Sequence, residues 1–421
     1  DEKVVILGKN TELTVLAVDY FLNNLVDANT GNCIIADSFN QIFDGNLTGI
    51  VWEKDNINAA PSGGYARMCT LPDGSLMIAY ESGGIVKVIK STNGGKTWSS
   101  PVNVTKGEKT PSGEKMTATN ANPFVTENGD ILVSYRAHTS GENYKSFYSS
   151  IRVNISRDNG ATWELFDIVA ENTHAGTEFT GFWEPHIVYI KDGKLAIYYA
   201  SDCIGGSAVN YPFVSSMKYQ HIIMHIYDEE AKKFGNPIIA SNGENHKSRD
   251  GMPVVSVLSD GSYVMVIEAN NESGYVFTIK MLFSEDGITW SSPKLVAKSP
   301  ETGYYCGAPY VALLPDGRIA VSYQGDYNSG TTNGESSTRN SVMRVIISKD
   351  AVSYKDRDAI SEKSFDMVFP NPILYVNYSC SVWPALYVAN GKLYCMAQVI
   401  VNGTVGNLGI YLRSAILNDK K

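Results

Sequence analysis

No stretch of this 421-residue chain is apolar for long enough to cross a membrane as a helix. Its 35 Lys and Arg are outnumbered by 44 Asp and Glu and form no basic cluster, which argues against nucleic acid as a partner. Cysteine is scarce: Cys33, Cys69, Cys203, Cys306, Cys380 and Cys395 are scattered, with no CxxC pair. Most fall in or beside strand-like runs, so buried free thiols are expected rather than a disulfide framework. Histidine is scarcer still in useful arrangements. His221 and His225 are four apart, but no Glu follows His221 and the surrounding pattern is strand-like. They read as ordinary histidines, and neither a metal nor a cofactor is expected.

What the chain does contain is repetition. An X-Pro step opens an apolar run, an Asp-Gly or Asn-Gly turn follows, and a second apolar run ends on a polar residue. Four copies read Asn122-Pro123 to Asn128-Gly129 to Arg136, Glu184-Pro185 to Asp192-Gly193 to Ala200, Met252-Pro253 to Asp260-Gly261 to Glu268, and Ala308-Pro309 to Asp316-Gly317 to Gln324. Trp383-Pro384 to Asn390-Gly391 to Gln398 is another, and Arg67-Met68 to Asp73-Gly74 to Glu81 is a copy without the proline. Asp-Gly and Asn-Gly between apolar runs signal hairpins, because the turn needs positive φ. Hairpins recurring at a spacing of roughly 65 residues signal a repeat architecture.

A second signal runs in phase with the first. Ser91-Thr-Asn93-Gly-Gly95-Lys-Thr97-Trp98, Ser156-Arg-Asp158-Asn-Gly160-Ala-Thr162-Trp163 and Ser284-Glu-Asp286-Gly287-Ile-Thr289-Trp290 share one pattern, and Ser348 to Tyr354 is a degenerate copy. The pattern resembles the Asp box of sialidase-like β-propellers, a tight turn in which Asp or Asn holds backbone N–H groups and Trp fills the gap between blades. The expected fold is all-β: a six-bladed β-propeller of four-stranded antiparallel blades. Strand direction puts the Asp boxes on the Asp-Gly face, opposite the X-Pro steps, so their role is structural.

Residues 56–421 are expected to form this propeller. Residues 1–55 read as an appended strand-helix-strand segment whose end joins the ring, with a helical stripe over Glu12 to Asn29 between strands at Lys3–Leu7 and Cys33–Ala36.

Candidate chemistry collects where inner strands start and second strands end. The X-Pro residues are Arg67, Asn122, Glu184, Met252, Ala308 and Trp383; the residues seven past each turn glycine are Glu81, Arg136, Ala200, Glu268, Gln324 and Gln398, with Asp202 just beyond Ala200. Paired carboxylates are what glycoside cleavage needs, one to protonate the departing oxygen and one to attack or to activate water. Glu184 and Glu268 fall in adjacent blades at equivalent height, and are expected to be dispensable for blade packing. Aromatic residues suit sugar faces, and Arg with amides suits hydroxyls. Arg67, Glu81, Asp202, Arg249, Asp250, Tyr305 and Trp383 are the expected substrate-binding residues.

Phe182-Trp183-Glu184-Pro185-His186 with the run from Asp192 to Asp202 resembles the third-blade segment of glycoside hydrolase family 93. So does Arg249-Asp250-Gly251-Met252-Pro253 with the run from Gly261 to Glu268. The resemblance spans roughly residues 60 to 415. It implies a retaining exo-arabinanase that releases arabinobiose from α-1,5-linked L-arabinan, with Glu184 as acid/base and Glu268 as nucleophile. An insert around Cys203 to Tyr219 departs from that pattern. The partner implied is an oligo- or polysaccharide, the protein a monomer, and its place secreted, periplasmic or at the cell surface. Two alternatives stand beside this reading. A sialidase would use Arg67, near the position of its Arg-Ile-Pro motif, further arginines, and a Tyr nucleophile paired with Glu. A non-catalytic glycan-binding propeller would need no carboxylate pair.

Overall fold

The computed structural model describes residues 50–53, 55–139, 146–175, 180–208, 210–300, 302–325, 341–369, 379–401 and 406–417. Within them the chain forms six antiparallel sheets of four or five strands, the blades of a β-propeller. The inner strands are Gly64–Thr70, Thr117–Val125, Phe182–Ile190, Gly251–Val257, Cys306–Leu313 and Ser379–Ala389. The second strands are Leu76–Ser82, Ile131–His138, Lys194–Ser201, Tyr263–Ala269, Ile319–Gly325 and Lys392–Val401. In the sixth blade, Ile50–Trp52 and Ile57–Ala60 both pair with Gly406–Leu417, so chain from before the first repeat closes the ring. The expected helix and flanking strands of the first 55 residues lie outside the described residues.

The hairpin turns follow from their residues in two ways. At Asp192-Gly193 and Asn390-Gly391 both residues have positive φ, the signature of a two-residue I′ turn. At Asp73-Gly74 only the glycine is positive, at φ 81°, and the Asp73 carboxylate accepts the Ser75 N–H at 2.9 Å. The loops between third and fourth strands lie on this same face. Asn159 donates to the Asp73 carboxylate of the preceding blade at 2.7 Å, and the Tyr354 N–H donates to that of Asp260 at 3.3 Å. Each loop is held internally by its own acid or amide: Asn93 Oδ1 accepts the Thr97 N–H at 3.0 Å, and Asp286 Oδ1 the Thr289 N–H at 2.7 Å. Trp163 packs among residues of blades one and two, and the Trp290 ring meets Tyr198 of blade three edge-on at 5.9 Å. The apolar core thus lies between blades rather than within any one of them. Cys69, Cys203, Cys306, Cys380 and Cys395 are buried, and none is in a disulfide among the described residues.

Every inner strand carries one irregularity, a register shift near its start: between Gly64 and Arg67, Thr119 and Asn122, Trp183 and His186, Gly251 and Val254, Gly307 and Tyr310, and Val382 and Ala385. One non-glycine residue in each has positive φ: Tyr65 at 53°, Asn120 at 56°, Glu184 at 45°, Met252 at 52°, Ala308 at 50° and Trp383 at 50°. These are β-bulges, which re-aim a side chain and bend the strand. They correct the sequence alignment of two blades. Arg67 and Asn122 are not equivalent to Glu184; Tyr65 and Asn120 are, two residues earlier. Proline often follows the bulge residue but is not required, and Ala66 and Ala121 take its place.

The bulge takes one N–H out of its own ladder, and in three places the preceding blade supplies the acceptor. Glu81 Oε2 accepts the Asn120 N–H at 2.7 Å, Glu268 Oε2 the Ala308 N–H at 2.8 Å, and Gln324 Oε1 the Trp383 N–H at 2.6 Å. Glu268 is therefore part of blade packing, contrary to the expectation that it is dispensable. The unpaired-donor cost makes a prediction. Gln324→Ala strands the Trp383 N–H and should cost about 1–3 kcal/mol in chemical denaturation, whereas Gln324→Glu keeps an acceptor and should cost less. Equal costs for the two variants would show that the contact carries no stability.

Candidate active site at the ring mouth

The bulges bring residues from different blades together. Tyr65, Met252 and Ala308 form an apolar cluster, with Trp383 packed against it. Bulge residues of blades one, four, five and six thus meet across the axis. The other two bulge residues are Asn120 and Glu184, so Glu184 is the one acid at this level. Arg67 lies one step deeper along its strand and is only 1% exposed. Its guanidinium stacks 3.9 Å from the Tyr65 ring and 5.1 Å from that of Tyr310, and Nη1 donates to the carbonyls of Ala66 at 2.9 Å and Trp383 at 3.1 Å.

Glu184 and Glu268 have different surroundings. Among the described residues the Glu184 carboxyl has no hydrogen-bond donor. Burial pushes its pKa up to about 8, and the neighbouring Glu268 and Asp202 charges push the same way against Arg136 and Arg249. Glu268 is also raised by burial, but the Ala308 N–H and the Tyr305 hydroxyl, at 3.0 Å, favour its ionised form, as does Arg249. The second residue of the blade-five inner strand is glycine where this happens: a Cβ on Gly307 would stand 2.5 Å from Glu268 Oε2 and would also collide with the Tyr305 hydroxyl.

Asp202 and Arg249 are brought together as supports for this pair. Asp202 accepts from the Gly181 N–H at 2.7 Å, the Trp183 indole at 2.9 Å and Arg249 Nη2 at 2.9 Å. Arg249 Nη1 also donates to the Met217 carbonyl at 2.6 Å, so the insert between Cys203 and Tyr219 forms part of the wall. Trp183 is pinned by Asp202 on its N–H edge and covered by the Arg136 guanidinium, 3.7 Å from the ring centre. Arg136 and Tyr65 were not among the expected binding residues. The count of seven from the turn glycine marks Arg136; Tyr65 is hidden by the register of its strand.

Asp250 goes elsewhere. It is fully buried, and its Oδ2 accepts from Ser241 Oγ at 2.7 Å and contacts His246 Nδ1 at 3.1 Å. It secures the turn before blade four. Glu81 and Trp383 lie across the mouth from the carboxylate pair, on an open cavity of about 460 Å³ walled by blades six, one and two. Among the described residues no group of three His, Cys, Asp or Glu is placed to hold a metal ion. His221 Nδ1 accepts the Gly243 N–H at 3.1 Å, and His225 bridges the Tyr199 hydroxyl at 2.8 Å and the Gly235 carbonyl at 2.7 Å.

The arginine at the expected sialidase position is also displaced. A motif Arg-Ile-Pro with its proline at the bulge puts arginine where Gly64 stands, not Arg67. Arg318 is paired with Asp316 at 2.6 Å beside a turn on the opposite face.

The raised Glu184 carboxyl makes stability depend on pH with a defined sign. The folded protein holds this proton more tightly than the unfolded chain, whose carboxyl titrates near 4.5. The associated stability is complete below that value and is lost as pH rises through about 8. Glu184→Gln removes the titration. The melting temperature of the variant, relative to the unsubstituted protein, should climb across this window. Parallel curves would mean that Glu184 is ionised at neutral pH.

No protein-family model matches the chain, and no curated protein matches it. Solved structures do. An α-L-arabinanase of Penicillium chrysogenum, in complex with arabinobiose, is 20% identical with a TM-score of 0.58, over 87% of this chain and 97% of its own. An α-L-arabinofuranosidase of Fusarium graminearum, in complex with an iminosugar inhibitor, is 19% identical with a TM-score of 0.55, over 87% and 96%. A sialidase of Streptococcus pneumoniae is 12% identical with a TM-score of 0.54, over 92% and 72%. The likeness at these identities is one of fold: the chain shares the six-bladed propeller of arabinan-acting and sialidase-like glycoside hydrolases.

Proposed function

We propose that this protein is a retaining exo-acting glycoside hydrolase that cleaves α-1,5-linked L-arabinan and releases arabinobiose from chain ends. One observation carries the reading: two carboxyl groups from adjacent blades share the mouth in unlike environments. Glu184, without a donor and raised to about 8, is suited to protonate the departing glycosidic oxygen at neutral pH. Glu268, served by the Tyr305 hydroxyl and the Ala308 N–H, is suited to remain ionised and attack the anomeric carbon. The bond from anomeric carbon to leaving oxygen breaks as the Glu268 oxygen bonds to that carbon. Water, deprotonated by Glu184, then displaces Glu268 and returns the configuration. The pair is expected to stand about 5 Å apart when sugar is bound. The apolar plug beneath it closes the ring axis and suits a site entered from one end. The choice of arabinan follows the sequence resemblance over blades three and four, and agrees with the arabinobiose held by the Penicillium arabinanase.

A sialidase reading has one observation in its favour, the Tyr305 hydroxyl bonded to Glu268, which matches a Tyr nucleophile with its Glu base. Against it, Gly64 occupies the first arginine position and Arg249 is already neutralised by Asp202.

Incubation with linear arabinan should release arabinobiose, and sialyl-lactose should be left intact; the reverse would establish the sialidase. Glu184→Gln and Glu268→Gln should each lower turnover about 10²–10⁴-fold. With an activated aryl glycoside, azide should rescue Glu184→Ala with retained configuration, since an anionic nucleophile needs no general base. Retention with azide in Glu268→Ala alone would reverse the two roles.

A further inference from the structure

We propose that Asp250 is a positioning residue for the carboxylate pair: anchored to Ser241 and His246 outside the mouth, it aims Arg249 at Asp202 and so keeps a cation beside Glu184 and Glu268. The proposal rests on the hydrolase reading and deepens it, by naming the part of the fold that holds this cation at the site.

Arg249 and Asp250 are consecutive, in the segment between the short helix Gly243–His246 and the inner strand of blade four. Arg249 forms a β-bridge with Gln220, so the chain is extended there. Neighbouring side chains of an extended chain leave on opposite sides. Anchoring Asp250 on one side therefore sends Arg249 to the other. The anchor is specific. Asp250 Oδ2 takes the hydroxyl of Ser241, the last residue of the outer strand Ile238–Ser241 of blade three, and meets His246 Nδ1 four residues back. The His221 ring also feels the Asp250 charge. Backbone contacts fix the path of the segment but not its side chains. The Asp250 N–H donates to the Gln220 carbonyl at 3.1 Å and the Arg249 N–H to Asn270 Oδ1 at 2.9 Å. Four charged groups act on Glu184: Glu268 and Asp202 against Arg136 and Arg249. Of the two cations, Arg249 alone also acts on Glu268. Its placement thus bears on both members of the pair. This gives the proposal a sign. Removing the negative charge of Asp250 can only lower the Glu184 pKa by direct action, whereas releasing Arg249 raises it.

The test follows Glu184 through stability, with no substrate. The melting temperature of each protein is compared with that of its own Glu184→Gln form across the pH range. The difference stops growing where the folded carboxyl has ionised, near pH 8 in the unsubstituted protein. Asp250→Ala should carry that point upward by about one pH unit. Asp250→Asn should not raise it, because an amide oxygen still accepts the Ser241 hydroxyl. Arg249→Met should raise it as far as Asp250→Ala does, and the two together no further. Ser241→Ala serves if Asp250→Ala does not fold: it removes one anchor with no change of charge and should act in the same direction by less. An unmoved or lowered point, equal rises in Asp250→Asn and Asp250→Ala, or rises that add to that of Arg249→Met would overturn the positioning role. Arabinan turnover by the unsubstituted protein separates the two readings. Turnover with an unmoved point removes the positioning role alone; a raised point with no turnover removes the hydrolase and keeps the positioning role.

Discussion

One extra residue near the start of each inner strand governs both the ring and its mouth. The bulge holds a non-glycine residue at φ near 50°, a conformation that costs an L residue of order 1–2 kcal/mol. In exchange the side chain leaves the blade-to-blade interface and turns toward the axis, where bulge residues from four blades pack as a plug. The same distortion frees one backbone N–H. In three places the preceding blade answers with a carboxylate or amide from the end of its second strand. The blade contact and the candidate active site are therefore built from one set of residues.

The pattern breaks on both sides of Glu184. Blade two ends its second strand in Arg136, a donor that cannot serve a bulge N–H and instead covers Trp183. Blade three ends in Ala200, which has no polar atom to offer. Glu184 is consequently set on an apolar plug, with cations near it but no donor on its carboxyl. Glu268 occupies a regular latch position and inherits the donors that such a position meets. The contrast between a carboxyl raised by burial with no donor and a neighbour whose donors oppose the same burial arises from where the repeat is kept and where it is broken.

The legibility of these features in the sequence follows from what constrains each one. The second-strand ends from Glu81 to Gln398 could be read by counting, because a hairpin turn sets register and the turn glycines announce themselves. The bulges were legible only where proline marks them, and proline is a companion of the bulge, not its cause. Blades one and two, with alanine after the bulge residue, were therefore misaligned by two. Arg67 was thereby raised to the mouth while Tyr65 was overlooked. Side-chain direction outside strands was not legible at all. Arg249 and Asp250 are adjacent, yet one reaches Asp202 at the mouth and the other turns inward to Ser241 and His246, a choice made by the turn that precedes blade four. The ring-closing strands at Ile50–Trp52 and Ile57–Ala60 are too short and too remote from their partner in sequence for periodicity to reveal the pairing.

The double use of the latch position bears on how any loss of activity is understood. Removing the Glu268 side chain both deletes a carboxylate from the candidate pair and strands the Ala308 N–H of the next blade. A lower rate after that change mixes chemistry with a shift of blade five. Glutamine separates the two, since Gln324 shows that an amide oxygen serves the same N–H. Glu184 needs no such control on its side chain, which holds no other residue in place. Its substitution acts through charge and proton alone, so Glu184 is the cleaner probe of mechanism and Glu268 the cleaner probe of how the site is tied to the fold.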